Sequence, residues 1–130
     1  MRRGLLGVIC GLAVWASLWY SLHWALPGFF PKQFSPDGST DSAVLSLIIV
    51  LLSFDFSFFS GYINAIIAKN YPLQYAALQG TIQLALGAYV QFVHWDINPL
   101  WFHIAFLSFI FPAVMAGALY RNSSDNQEIP

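Results

Sequence analysis

The sequence predicts an all-α fold, a bundle of four transmembrane helices, and three observations predict it. Of the 130 residues, 58% are hydrophobic and only 8% carry a charge, whereas an ordinary soluble domain is roughly 25% charged. A water-soluble domain of this length must cover much of its surface with polar groups, and the chain supplies few. The apolar residues also fall into four runs, about Gly4 to Phe30, Ser42 to Ala68, Leu73 to Trp95 and Leu100 to Tyr120. Each is at or above the ~20 residues that let a helix cross a hydrocarbon core. Residues 1–121 are read as one transmembrane domain, and residues 122–130 as a disordered polar cytoplasmic tail.

In the first run Arg2 and Arg3 precede the apolar stretch, and Val14 with Ala16 could serve a signal peptidase. The run continues well past that point, so it is expected to be retained as a helix. Gly7 and Gly11 form a small-xxx-small pair, and the seam they start passes through Val14, Leu18 and Ser21. The first break holds Pro31, Lys32, Pro36, Asp37, Gly38 and Asp41, with Thr40, Asp41 or Ser42 available to cap the second helix.

On the second helix Ser46, Ser53, Ser57, Ser60, Gly61, Asn64 and Ala68 share a face at ~100° per residue. Asp55 sits mid-helix about 180° away, alongside Ile48, Phe59 and Tyr62. A charged carboxylate there costs roughly 2.5 to 3.5 kcal/mol on insertion scales. Three roles fit it: an acid satisfied by a neighbouring helix, a proton or cation carrier, and a contact between subunits.

Pro72 suits the first turn of the third helix. There Ala76, Gln79, Gly80, Gln83, Gly87, Gln91 and His94 occupy a sector of roughly 120°. The glycines would admit a neighbouring backbone while the glutamines hydrogen-bond across the bundle. The sharper alternative is a polar or proton pathway formed by Asp55, Gln79, Gln83 and Gln91. Asn98 and Pro99 open the fourth helix, where Ala105, Ser108, Pro112 and Ala116 line one face. Pro112 removes the bond to the Ser108 carbonyl and predicts a kink, while Ala113 and Gly117 make a second small pair.

Orientation follows from the cations. With the amino terminus inside, Arg2, Arg3, Lys69 and Arg121 are cytoplasmic and only Lys32 is external, as the positive-inside rule requires. Both ends are then cytoplasmic. Trp19, Trp24, Trp95 and Trp101 gather at the external boundary, and Tyr62, Tyr71, Tyr75 and Tyr120 at the internal one, as interfacial anchors.

His23, His94 and His103, with Asp96 nearby, all fall toward the external side. They are weak candidates for metal or haem ligation. His23 and His103 lie opposite the small-residue faces of their helices, and each histidine has a tryptophan within two positions, so interface anchoring is the preferred reading. No cofactor is expected. Cys10 is the single cysteine, which excludes an internal disulfide and a cysteine-based metal cluster. Net charge is −1, and no basic patch offers itself to nucleic acid. No phosphate-binding glycine loop, metalloprotease helix or nucleophile elbow occurs, so no enzymatic activity is expected.

From Ser60 to Leu119 the chain resembles a loose group of small uncharacterised four-helix bacterial integral membrane proteins. The likeness rests on Gly61, Tyr62, Ala65 and Ala68 before a short basic loop, then Pro72 and Gly80, Pro99 with Trp101, and Pro112, Ala113 and Gly117. Members often carry two glycines before the tyrosine and an arginine further on, where this chain has Ser60 and Ile66. The resemblance implies architecture and a multi-pass place in the bacterial inner membrane, with no activity attached. Small multidrug exporters are similar in length and in needing an embedded acid, but theirs is a glutamate in the first helix. The expected role is therefore a non-enzymatic accessory or scaffold subunit in a homo-oligomer or larger membrane complex. A small proton-coupled transporter or channel using Asp55 is the alternative.

Overall fold

The computed structural model describes residues 1–127, with side chains as far as Ser124. The described residues form four helices and no strand: α1 (Arg2–Phe29), α2 (Ala43–Ala68), α3 (Pro72–Val93) and α4 (Leu100–Gln127). Local chemistry sets their boundaries. Ser42 caps α2 by accepting the Leu45 N–H at 3.3 Å, and Thr40 Oγ1 accepts the N–H of Ser42 at 3.2 Å. Pro72 begins α3, where its missing N–H forfeits no helical bond. Pro99 accepts from the N–H groups of Phe102 and His103 at the start of α4.

The far end of α4 differs from the expectation. The helix runs to Gln127 instead of ending near Tyr120, so residues 122–127 are helical and not a disordered tail. Neither glycine nor proline interrupts the sequence between Ala118 and Gln127, and Ser124 Oγ donates back to the Tyr120 carbonyl at 3.1 Å. Residues 128–130 of the expected tail lie outside the described residues.

Three helices, α1, α2 and α4, are long and apolar enough to cross a membrane. The outer surface agrees, since Leu5, Ile9, Val44, Leu51, Phe92, Ile104 and Leu119 are all exposed. The 22 residues of α3 include Gln74, Gln79, Gln83 and Gln91, and α3 is not among those three.

In cross-section the bundle is a rhombus. Around it α1 packs on α2, α2 on α4, α4 on α3 and α3 on α1, while α2 and α3 also approach across the short diagonal. The long diagonal between α1 and α4 is filled by rings: Trp15 packs with Phe106 and Ile110, and Trp19 lies 5.1 Å from Phe106.

Glycine lets the backbones meet. A Cβ at Gly61 would collide with the Val114 carbonyl of α4, and one at Gly117 with the Phe58 carbonyl of α2. These two glycines form a reciprocal backbone contact, which explains why α2 and α4 make the closest pairing. Gly7 seats on Asn64, Gly11 on the Gln79 amide, Gly80 on the Phe111 ring and Gly87 on Ile110.

Two expected faces are corrected. The buried seam of α1 runs through Gly4, Gly7, Val8, Gly11 and Trp15, and Ser21 is exposed. On α4 the buried face is Phe102, Phe106, Ile110, Ala113, Val114 and Ala118, with Gly117, whereas Ser108 and Pro112 point outward. Five residues separate Pro112 from Gly117, roughly 140° around the helix, so Pro112 takes no part in packing. Facing outward, it leaves the freed Ser108 carbonyl away from the core, and α4 stays continuous through it.

Candidate functional site

Three polar features stand out in a molecule with so few polar groups: a closed network at the centre, a carboxyl on the outer surface and a cavity at the loop end.

The central network joins α2 to α3. Asn64 Nδ2 donates to Gln79 Oε1 at 2.7 Å and to the Tyr75 carbonyl at 3.2 Å. Gln79 Nε2 donates to Ser60 Oγ at 3.0 Å and Gln83 Oε1 at 3.2 Å, and Gln83 Nε2 donates to Ser57 Oγ at 2.9 Å. Gln79, Gln83, Ser60 and Asn64 are fully buried. The i, i+4 spacing of the glutamines stacks their amides along one face of α3, opposite the i, i+3/i+4 run of Ser57, Ser60 and Asn64 on α2. Gly7 and Gly11 of α1 close the network from the third side. Only Asn64 Oδ1 among its side-chain atoms is buried without a partner, as is the nearby core atom Trp15 Nε1. An arrangement this saturated holds helices in register.

Asp55 is not part of it. It lies on the exposed side of α2 together with Leu51 and Phe59, while Ser53, Ser57 and Ser60 point inward. No hydrogen bond or ion pair reaches its carboxyl from the described residues. The pathway combining Asp55 with Gln79, Gln83 and Gln91 is therefore not brought together, because helical geometry puts the acid on the opposite side of α2 from the glutamines. Gln91 is separate again. It sits two turns beyond Gln83, where its amide oxygen meets Nδ1 of His103.

The three histidines part company as well. His103 is 1% exposed, so the reading of it as an interfacial anchor is corrected. The turn after α3 folds the Trp95 ring flat over the imidazole, with centroids 4.4 Å apart and planes at 4°, and sets the Trp95 carbonyl 3.0 Å from Nε2. Sequence periodicity alone could not anticipate this, since one partner, Trp95, comes from a loop and the other, Gln91, from a different helix. His23 and His94 remain exposed, each with Nδ1 on the carbonyl one helical turn earlier, Trp19 at 3.0 Å and Val90 at 2.9 Å. Among the described residues no group of three metal-ligating side chains assembles. Trp19, expected at the interface, instead packs within the core beside Phe106 and Ile49, whereas Trp24, Trp95 and Trp101 are exposed.

His23 and His94 line a cavity of about 360 Å3 at the loop end, between the ends of α1 and α3 and the two loops there. Sequence reasoning did not identify this cavity, because its walls come from segments as far apart in the chain as Trp19 and Phe102. Asp37 lies at its rim and accepts from Ser39 N at 2.9 Å and Ser39 Oγ at 2.6 Å. Those two bonds hold its carboxyl below the usual carboxylate range.

Fold and site thus define a class: among the described residues, an all-helical protein of four helices, three of them apolar and of membrane length, with a buried polar network between α2 and α3. Comparison of the chain with known protein families, with characterised proteins and with solved structures finds no match.

Proposed function

We propose that this protein is a non-enzymatic accessory or scaffold subunit that packs through α2 against another membrane subunit, a second copy or a different chain. The observation that carries this is Asp55, an exposed mid-helix carboxyl that the described residues leave without a partner. Left in lipid it costs roughly 2.5 to 3.5 kcal/mol. A polar group on a neighbouring subunit would remove much of that cost. The hydrogen-bonded network between α2 and α3 agrees with the same reading, since it builds a rigid platform from which the Asp55 carboxyl projects outward.

In this proposal α3 is the fourth crossing, its glutamines hidden by α2 and α1. Both ends face the cytoplasm of a bacterial inner membrane, a placement supported by Arg2, Arg3, Lys69 and Arg121 lying at one end of the bundle and Lys32 at the other. Reporter fusions after Lys32 and after Arg121 should then report opposite compartments, and a shared compartment would refute the orientation.

Native mass spectrometry from mild detergent tests the assembly. Wild-type protein should appear as oligomers or with a co-purifying subunit, and Asp55→Leu should lose at least about tenfold in assembled fraction while keeping its helical content. Bare monomers for the wild type, or full assembly of Asp55→Leu, would overturn the proposal.

A further inference from the structure

The cavity at the loop end has no part in the assembly reading, and its chemistry is specific. At about 360 Å3 it falls in the range of small-molecule sites. Its apolar wall combines the rings of Trp19, Tyr20, Phe34 and Phe102 with aliphatic side chains such as Leu26 and Ile49, and neither lysine nor arginine lines it.

Beside the hydroxyls of Tyr20 and Thr40, the indole of Trp19 and the amide of Asn98, the cavity holds four groups able to present acceptors: His23, His94, Gln91 and Asp37. A backbone carbonyl can only accept, so the contacts of His23 Nδ1 with Trp19 O and His94 Nδ1 with Val90 O put the N–H of each neutral ring on Nδ1. Each Nε2 then carries a lone pair and has no partner from the described residues. Gln91 is a third such group. It is 3% exposed, lines the cavity, and spends one amide atom on His103, leaving the other unpaired. His103 faces two acceptors, the Gln91 oxygen and the Trp95 carbonyl. A half-turn of the amide gives its N–H to Nδ1, keeps the buried imidazole neutral and directs the oxygen into the cavity. Asp37 adds a carboxylate at the rim.

We propose that this cavity binds an organic ammonium ion, a protonated amine on an apolar or aromatic body. Each part of the site has a matching function. The ring faces attract the cation through their quadrupoles, the carboxylate supplies the counter-charge, and the imidazole and amide acceptors take the ammonium N–H bonds. A neutral ligand of the same shape gains the walls without the counter-charge, and an anion meets repulsion from Asp37. The headgroup of an aminolipid and a free amphiphilic amine present the same chemistry.

The test uses the full-length protein in phosphatidylcholine nanodiscs, titrated calorimetrically with 2-phenylethylammonium and with 2-phenylethanol, empty nanodiscs serving as the blank. The ammonium should bind about tenfold or more tighter than the alcohol. Asp37→Asn, whose amide oxygen can still accept from Ser39, should erase that preference with circular dichroism and Tm unchanged. Equal affinity for the two probes, or a preference that survives Asp37→Asn, overturns the proposal. Repeating the titration with phosphatidylethanolamine in the nanodiscs separates the sources. Competition by that lipid supports a headgroup occupant, and unchanged ammonium binding supports a free amine.

Discussion

Replacing Gly117 by alanine should loosen the pairing of α2 with α4. A Cβ at this position would lie 2.9 Å from both the Phe58 carbonyl carbon and the Tyr62 amide nitrogen, and closer still to the Phe58 oxygen. Ordinary contact begins at 3.4 Å, so the helices must separate by more than about 0.5 Å. Both obstructing groups are backbone, and no rotamer change can relieve them. Overpacking of this kind costs about 1–3 kcal/mol, and more where side chains cannot yield. Alanine recovers about 1 kcal/mol over glycine in helix propensity. Because both obstructing groups are backbone, the upper end of that range applies, and a net loss of about 2 kcal/mol remains, roughly thirtyfold in the folded-to-unfolded ratio.

Reversible unfolding in mixed dodecylmaltoside and dodecyl sulfate micelles, followed by circular dichroism, measures it. Gly28→Ala is the internal control, since nothing lies within 4 Å of a Cβ there, and it should match or slightly exceed the wild type. If Gly117→Ala unfolds with the wild-type midpoint, the inferred backbone contact is absent and the α2–α4 register described above is wrong.

Gln79→Leu should destabilise the protein by about 1–3 kcal/mol, because it strands Asn64, Ser60 and Gln83 in the interior; a lowered thermal midpoint in detergent checks it. For Asp37, folding lowers the carboxyl midpoint, so the Asp37–Ser39 turn contributes stability above the unfolded-state value. That contribution is lost as pH falls through the lowered one. An NMR titration of the Asp37 side chain should show a midpoint below the ordinary aspartate range, and Ser39→Ala should move it back up.

Much of the architecture was legible in the residues. Helix count, a cap for α2 among Thr40, Asp41 and Ser42, the Pro72 start and the inward stripe from Ser57 to Asn64 follow from hydrophobic run length, capping chemistry and the 3.6-residue period, all of which are local properties. The glutamine sector of α3 was visible for the same reason, since a 22-residue helix cannot hide which side its amides occupy.

What lay beyond the sequence is the choice of neighbour. Periodicity shows that Gln79 and Asn64 each face something, and only the tertiary arrangement makes them face each other. It also turns Pro112 outward, draws Trp19 and His103 inward and leaves Asp55 exposed. A small-residue pattern marks where close approach is permitted, and several rotations of α1 and α4 permit it. The rhombus with α2 and α3 on its short diagonal is selected because it is the one in which Gly61 and Gly117 interlock while the amide nitrogens of Gln79 and Gln83 both find oxygen partners. Those are non-local contacts, satisfied jointly or not at all.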